Sequence, residues 1–410
     1  MPEFLKLTPP NEALSRWFEK LNIRPRTERI RLENALGRIT AEPVVSPSAL
    51  PQFARSTVDG YAVIARDTYG ASESLPAYMS LAGEVCMGAQ PTLELASGSA
   101  FLIHTGGMLP VNADAVVMLE YTQQSGGMIE VLKPVAVGEN ILSTGEDVQP
   151  GETVIPAGWR LRAQEIGGLA ALGITEVAVA VQPGVGILSN GDEIVPLDHE
   201  PLPGQVRDVN SSSLSALVRQ TGGKATVYGI FPDQLEPLMQ AATQAIAECD
   251  IVVFTAGSSA SARDLTSQVI HQLGEPGVLV HGVGVRPGKP TILAVCQGKP
   301  VIGLPGNPVS ALVIAGLFLR PMIEYHLGLM STDYQFGIYA RLAVNLPSQA
   351  GREDWVPVRL VPDPKGLKAE PIFSKSNLIF SLVRADGLVL VPPDATGLAA
   401  NELVWVFPLN

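Results

Sequence analysis

The chain has 410 residues, of which 46% are hydrophobic and 17% are charged, and its formal net charge is −12. This length exceeds what one hydrophobic core supports, and the composition is that of a globular protein with roughly two to four domains. The acidic balance argues against broad binding to nucleic acid or to an acidic membrane surface. An anionic ligand would therefore need a local site of backbone N–H groups, a few basic side chains or a metal.

The cysteines, the N-terminal segment and the longest uncharged stretch argue against zinc-binding, secreted and membrane-spanning proteins. The three cysteines lie far apart, without a CxxC pair or a neighbouring histidine, which favours buried thiols over a disulfide or zinc site. The N-terminal MPEFLKLTPP lacks the pattern of a secretory signal. The longest uncharged stretch, residues 300–319, is broken by Pro305 and Pro308 and is a poor membrane span. We expect a soluble, cytoplasmic protein without a membrane partner.

The first half of the chain predicts two structural parts. NEALSRWFEKLNI has helical spacing, ERIRLENALGRI is interpreted as a second helix, and a proline-rich extended connector follows. Over residues 51–139, short apolar runs alternate with Gly and Pro turns and predict a β-rich module. Residues 140–182 combine strand-like pieces with a short helix, RAQEIGGLAALGI. We expect them to form one elongated region with residues 1–50.

The pattern changes near Pro183. Over residues 183–329, short apolar strands alternate with amphipathic helices, which predicts a doubly wound, mostly parallel sheet with helices on both faces. Over residues 330–410, strand-like segments that include NLIFSLVRADGLVLVPP predict a small all-β domain. The expected fold class is therefore multidomain α/β.

Polar loops of small residues follow the strands of the predicted sheet. Such loops let backbone amides approach a ligand, and a helix N-terminus adds partial positive charge. Ligands of these sheets collect beyond the carboxyl ends of the strands, so the loops together predict a phosphate or oxyanion site. Any one loop alone is more simply a cap and a turn. The four loops are SNGDE, VRDVNSSS, TAGSSASARD and LPGNPVSA.

Two of these loops carry candidate helix caps. In VRDVNSSS, Asn210 or Ser211 can cap the next helix. In LPGNPVSA, Asn307 is a candidate N-cap, and Pro308 suits the first helical position. GVGILSN and RPGKPT, in contrast, lack the residues that a dinucleotide fingerprint or a P-loop requires.

Four carboxylates accompany these loops. Singly, each is more simply a solvated cap, but carboxylates beside an anion binder could together hold Mg²⁺, which prefers oxygen ligands and ligand phosphates. In the first half of the chain, Asp59 and the Thr105–Gly107 segment are weak signals in isolation. The four loop carboxylates are Glu193, Asp208, Asp233 and Asp264.

The ordered set of motifs resembles the MoeA-type molybdopterin molybdenumtransferases, relatives of the gephyrin E domain, over essentially the full length. The resemblance rests on STVDGYAV, IHTGGMLPVNADAVVMLE, GEDVQPGE, LSNGDEIV, VRDVNSSSL, RPGKPT, GLPGNPVSA and ADGLVLVP. It implies that adenylyl-molybdopterin and molybdate react, with Mg²⁺, to give molybdenum cofactor and AMP. It also implies a homodimer with the active cleft between subunits, and a molybdopterin adenylyltransferase as a candidate partner.

The resemblance further implies a set of site residues. The catalytic set is Asp59, Thr105, Asp147, Glu193, Asp233 and Asp264, of which Glu193, Asp233 and Asp264 would hold the metal. The substrate-binding set is Ser189, Asp208, Gly257, Ser258, Lys289, Pro305, Gly306, Asn307 and Ser376.

The chain departs from the family pattern at two places. AGSSAS stands where relatives commonly have G-G-V-S-V-G, and Lys375–Ser376–Asn377 stands where they have a G-S-G-type segment. A serine still offers its amide and adds a hydroxyl donor, but it restricts the backbone more than glycine does. Two alternatives therefore stay open: a non-catalytic pterin-binding or scaffold paralogue, and a metal-dependent hydrolase of another pyrophosphate.

Overall fold

The computed structural model describes residues 7–256, 260–329 and 337–409, and for residues 256 and 260–264 it describes the backbone alone. The chain begins with a helix, Pro10–Phe18. Its Trp17 side chain is fully buried in the core of the α/β domain, where the indole N–H donates to the carbonyl of Ala294 at 2.7 Å. The first helix is therefore anchored on the α/β domain.

The segment interpreted as a second helix is mainly a strand, so that prediction is wrong. Thr27–Arg31 pairs antiparallel with Glu176–Ala180, and only Leu32–Asn34 forms a short 3₁₀ turn. Every second residue of the strand is half-buried, and the partner strand satisfies its backbone. Non-local pairing of this kind overrides local helix propensity.

Residues 141–180 return beside the first segment of the chain. Two short antiparallel pairs join Val44–Val45 to Thr153–Ile155 and Arg55–Ser56 to Ile141–Leu142. The predicted helix in this part spans Ala163–Ala171, and the Glu165 carboxylate accepts from the Arg162 backbone N–H at 2.8 Å at its start. The polypeptide thus leaves this region, builds the β-rich module, and comes back.

The β-rich module contains one six-stranded sheet. All neighbouring strands are antiparallel except one parallel pair, Ala77–Glu84 with Ser99–Ile103. Gly60 begins the strand that follows Asp59, and a Cβ there would lie 2.0 Å from the carbonyl oxygen of Val117. Only glycine fits this approach. In sheet order the strands are Ala115–Met118, Gly60–Val63, Ser99–Ile103, Ala77–Glu84, Met128–Val131 and Thr122–Ser125.

The α/β domain contains a second six-stranded sheet. In chain order its elements are β1 Gly184–Asn190, α1 Val209–Thr221, β2 Lys224–Phe231, α2 Leu235–Glu248, β3 Ile251–Ala256, α3 Ala260–Leu273, β4 Pro276–His281, β5 Ile292–Cys296, β6 Lys299–Leu304 and α4 Pro308–His326. The strand order is β2-β1-β3-β6-β5-β4. The first four strands in this order are parallel, and β5 runs antiparallel to both of its neighbours, β6 and β4, which confirms the mostly parallel sheet.

Helices cover both faces of this sheet because side chains alternate along its strands. Ile187 of β1 lies in the core with α1 and α4, whereas Leu188 lies in the core with α2 and α3. A short parallel ribbon, Ile194–Val195 with Val206–Arg207, projects beyond β1. The doubly wound arrangement of the predicted fold class is thereby confirmed.

Helix α4 has a local irregularity. Ala315–Leu319 forms a π-helical turn, and Pro321, just beyond it, has no N–H to give to the preceding turn. Among the described helices, α4 is the one that meets the length and hydropathy of a membrane span, yet 56% of that window is buried inside the protein. Buried core helices meet the same criteria.

The C-terminal domain contains a third six-stranded sheet. Five of its strands belong to this domain, and the sixth is Val285–Arg286. Val285–Arg286 pairs parallel with the start of Glu353–Asp363 and so links this sheet to the α/β domain. The segment GVLVHGVGV, residues 277–285, is therefore divided between two sheets, with β4 in one and Val285–Arg286 in the other. The domain's strands are Ile338–Leu342, Glu353–Asp363, Gly366–Pro371, Gly387–Val391 and Leu403–Pro408, with a short pair, Leu346–Pro347 and Gly397–Leu398.

One strand prediction in this domain is partly wrong. In NLIFSLVRADGLVLVPP, Phe380–Val383 is a helical turn, and only Gly387–Val391 is a strand. The Ser381 hydroxyl donates to the carbonyl of Leu378. This local hydrogen bond satisfies a backbone carbonyl without a partner strand and so favours a turn before the strand begins.

A half-buried histidine at the end of α4 makes stability depend on pH. Burial lowers the pKa of His326 from 6.5 to about 4, and its Nε2 is buried without a hydrogen-bond partner. The unfolded chain therefore binds a proton that the folded protein does not. This stabilisation is complete above about pH 6.5 and is lost as pH falls towards 4. We expect a loss of about 2 kcal/mol at pH 5 relative to pH 7.

Urea unfolding at both pH values measures this loss. The difference in free energy of unfolding between wild type and His326→Gln should be smaller at pH 5 than at pH 7 by the same amount. His199→Gln, at an exposed position, should leave the pH dependence of wild type intact. A pH dependence that is equal in His326→Gln and wild type contradicts the prediction.

Candidate functional site

A buried hydroxyl network lies at the carboxyl end of β1. The Ser189 hydroxyl is 2.9 Å from a carboxylate oxygen of Asp208 and 2.9 Å from the hydroxyls of Ser211 and Thr255. Because a carboxylate accepts only, Ser189 donates to Asp208 and accepts from the other two. All four side chains are buried. The network joins β1, β3 and the start of α1.

The cap of α1 differs from the one predicted. Asp208 occupies the N-cap position, and its second carboxylate oxygen accepts from the backbone N–H of Ser211 at 3.0 Å. Asn210 lies inside the helix, and its side-chain amide donates to the carbonyl of Gly306 at 2.8 Å. The prediction of Asn210 or Ser211 as the cap is wrong, because Asp208 already reaches the amide two positions beyond the first helical residue.

A second polar connection joins β1 to the loop after β2. The Asn190 amide donates to a carboxylate oxygen of Asp233 at 2.9 Å, and the Asp233 N–H donates to Asp192 at 3.2 Å. The Glu193 side chain is half-buried, and its carbonyl accepts from Val206. The structure thus brings the SNGDE segment and Asp233 to one sheet edge. Asn190 was missed among the site residues, although SNGDE contains it.

The loop after β6 reaches the same edge and also contacts the C-terminal domain. Asn307 is at the N-cap position of α4 and Pro308 is the first helical residue, as predicted. The Asn307 side chain makes no cap hydrogen bond and instead donates to the Ser376 hydroxyl at 3.1 Å. The Val309 N–H donates to the Ser376 carbonyl, also at 3.1 Å. Ser376 therefore lies beside Asn307 at the start of α4.

Lys289 lies on an exposed turn packed against α4. Gly288, just before it, has a φ of +124°, and a Cβ there would lie 2.3 Å from Ile314. The Thr291 hydroxyl closes the turn on the Gly288 carbonyl at 2.6 Å. Glycine therefore sets how closely the lysine-bearing turn approaches the helix.

Asp59 and Thr105 meet in the β-rich module. One Asp59 carboxylate oxygen accepts from the Thr105 backbone N–H at 2.8 Å and from its hydroxyl at 3.2 Å. These bonds, with the backbone bond foremost, hold the pKa of Asp59 below its usual value. His104 lies between two carboxylates, 3.7 Å from Asp59 and 3.0 Å from Glu84. Sequence reasoning missed both His104 and Glu84, which belong to no metal or triad spacing.

Other predicted site residues lie apart or outside the described residues. Asp147 is exposed in a turn, and its N–H donates to the Leu50 carbonyl at 3.0 Å. Within the described ranges, no hydrogen bond links Asp59, Thr105 or Asp147 to the loops of the α/β domain. Gly257, Ser258 and the side chain of Asp264 are outside the described residues.

The described side chains contain no group of three His, Cys, Asp or Glu residues placed to hold a metal. The side chain of Asp264 is not among those described, so the metal site of Glu193, Asp233 and Asp264 stays a prediction. The donor type at this edge nevertheless fits a hard cation, since the bond from the Asp233 backbone N–H to Asp192 brings two carboxylate-bearing residues together there. Mg²⁺ commonly takes only one or two protein carboxylates, with waters and substrate phosphates as its other ligands.

Three family models together span most of the chain. The MoeA N-terminal region, domains I and II, matches residues 8–173, and the MoeA C-terminal region, domain IV, matches residues 339–409. Between them, a probable molybdopterin-binding domain matches residues 186–325, which contain the polar sheet edge described above. The fold and site thus define a multidomain protein built around an α/β domain of the molybdopterin-binding class.

Full-length relatives extend this result. The molybdopterin molybdenumtransferase of Nostoc sp. is 34% identical over 95% of this chain and 90% of its own, and that of Bacillus subtilis is 31% identical over 97% and 93%. A solved molybdopterin biosynthesis MoeA protein from Pyrococcus horikoshii is 37% identical, with a TM-score of 0.83 over 99% of this chain and all of that one. The chain belongs to the MoeA family.

The hydroxyl network predicts a stability effect at Asp208. Asp208→Ala removes the cap of α1 and leaves the buried Ser189 hydroxyl without its acceptor. We expect a loss of about 2–3 kcal/mol in the free energy of unfolding. Urea denaturation at pH 7 measures it, with Asp198→Ala as the matched exposed control, for which a change below about 0.5 kcal/mol is expected. Equal effects of the two substitutions would show that the network contributes nothing.

Proposed function

We propose that this protein is a molybdopterin molybdenumtransferase of molybdenum cofactor biosynthesis, which inserts molybdate into adenylyl-molybdopterin with Mg²⁺ and releases AMP. The observation that carries the proposal is the meeting of the loops after β1, β2 and β6 at one sheet edge. It occurs in a chain whose full-length relatives bear that enzyme name.

The described side chains suit the positioning of a polar anionic substrate. Asn307 and Ser376 form a hydrogen-bonded pair at the start of α4, and the Val309 N–H holds the Ser376 carbonyl, so their remaining donor and acceptor sites are oriented. Asp59 is held by Thr105 through one oxygen, and its other oxygen has no partner among the described residues. That oxygen can accept an N–H or hydroxyl of a bound substrate.

Glu193, Asp233 and Asp264 would hold Mg²⁺ in this proposal. When bound, the ion would neutralise phosphate charge during cleavage of the phosphoanhydride. The chain's own contribution is orientation of the substrate and exclusion of alternative geometries, which requires no covalent nucleophile.

Release of AMP tests the enzymatic part directly. We expect purified protein to form AMP and active cofactor from adenylyl-molybdopterin, molybdate and Mg²⁺, and EDTA to stop the reaction. Asp59→Asn should lower kcat/KM about 100-fold, because a positioned acceptor is lost. Asp394→Asn, at an exposed position of the C-terminal domain, should not change it. Tight pterin binding without AMP release would instead indicate a scaffold protein, and turnover of common dinucleotides a different hydrolase.

The proposal also includes a cytoplasmic homodimer, supplied by a molybdopterin adenylyltransferase, with each cleft formed by two subunits. Its support is that Asp59 and Thr105 are exposed and bond to each other, while the polar sheet edge lies in another domain of the same chain. A second copy could bring the two sets together.

Mixing of inactive variants tests the shared cleft. Asp59→Ala and Glu193→Ala homodimers should both be inactive. Unfolding and refolding an equimolar mixture should restore about a quarter of the wild-type activity, because random pairing gives half heterodimers, each with one intact cleft. No recovery in a mixture that sedimentation shows to contain heterodimers would mean that each cleft lies within one chain.

A further inference from the structure

A cavity of about 580 Å³ lies at the open edge of the α/β sheet, outside the meeting point of the polar loops. It is bounded by α1, the edge strand β2 and the segment that leaves the short ribbon. Its volume is within the range of small-molecule pockets. Its apolar wall includes Leu197 and Val227, of which 57% and 48% are exposed, together with Ile230. Because these apolar side chains are exposed to water, covering them with a ligand gives a favourable free energy of binding.

The opposite wall contains a buried hydroxyl without a partner. Ser215 of α1 is only 5% exposed and lines the cavity, and its Oγ has no hydrogen bond. Two neighbours on the same helix behave differently, since Ser213 donates to the Asn210 carbonyl and Thr221 to the Leu217 carbonyl. Hydroxyls inside helices are commonly satisfied in this way. Ser215 thus places a buried hydroxyl without a hydrogen-bond partner in the wall of this cavity.

A free cation completes this wall. Arg219 follows Ser215 by one helical turn, lines the cavity, and makes no ion pair or side-chain hydrogen bond within the described part of the chain. Asp208 lies at the other end of the cavity, but both of its oxygens already accept from Ser189 and Ser211. From Asp208 to Arg219 the helix rises about 16 Å. The polar wall thus has a carboxylate whose oxygens are both hydrogen-bonded at one end and a cation without a described partner at the other.

We infer that this cavity is a second ligand site, for an organic anion with an apolar body. The acidic group pairs with Arg219, an acceptor atom takes the Ser215 hydroxyl, and the apolar body covers Leu197, Val227 and Ile230. Each of the three contacts satisfies a group that the protein leaves unsatisfied. The site is distinct from the one proposed for the pterin and molybdate, although Asp208 and Ser211 border both.

A fluorescent anion of this class provides the test. 8-Anilinonaphthalene-1-sulfonate has an aromatic body and one sulfonate, and we expect the native protein to bind it with one site per chain. Arg219→Gln should weaken this binding about tenfold. The uncharged analogue N-phenyl-1-naphthylamine should bind wild type and Arg219→Gln equally, because it has no group for the guanidinium. Arg384→Gln, an exposed arginine of the C-terminal domain, is the matched control.

Ser215 gives a second measurement that separates ligand binding from mere structure. Ser215→Ala removes an unsatisfied buried hydroxyl, so it should raise the urea midpoint of the free protein while weakening sulfonate binding about threefold. Ser213→Ala, on the same helix, should not weaken binding. Equal dye affinity in wild type, Arg219→Gln and Ser215→Ala overturns the inference, as does a lower urea midpoint for Ser215→Ala. Neither result depends on adenylyl-molybdopterin or on turnover.

Discussion

The Ser189 hydroxyl sits at the end of a buried strand and has three polar partners, and the loops of the candidate site depend on this arrangement. A buried polar group that loses its partner costs about 1–3 kcal/mol, so each member of the network holds the others in place. Because Thr255 is on β3 and Asp208 caps α1, the network fixes a helix start against two strands. Small loops can then meet at one edge without extensive packing of their own.

The start of α4 is also fixed by hydrogen bonds, but its partner is in the C-terminal domain. Asn307 occupies the capping position, but its side chain bonds to Ser376, and the Val309 N–H bonds to the Ser376 carbonyl. One of the free amides of the helix start is therefore already occupied by the C-terminal domain. Anion binding at this place would rely on fewer helix amides than LPGNPVSA suggests by itself. In return, the C-terminal domain is fixed to the site.

Sequence patterns predicted the parts of the fold whose stability comes from local periodicity and burial. Alternating strands and helices identified the α/β sheet, because each strand buries both faces and each helix buries one. Thr27–Arg31 was misassigned because its stabilising partner, Glu176–Ala180, lies about 150 residues away in the chain. The Asp208 cap was missed for a related reason. Three polar residues, Asp208, Asn210 and Ser211, each suit an N-cap, and the bonds that Asp208 accepts from Ser189 and from the Ser211 backbone N–H distinguish it in the structure.

The carboxylates that appeared alike in the sequence divide into two groups in the structure. Asp208 is buried and uses both oxygens within the protein, so its role is to hold the loops. Asp59 is exposed and retains one oxygen without a described partner, so it can still accept a bond from a substrate. In a protein of net charge −12, this division matters, because an anionic ligand is repelled by every free carboxylate nearby.

A carboxylate such as Asp208, whose oxygens accept structural hydrogen bonds, keeps its charge, but Ser189 and the helix start of α1 stabilise that charge locally. Attraction of an anion must then come from amides, hydroxyls and a cation at the sheet edge, and a fixed network is what can hold such weak donors in the required positions.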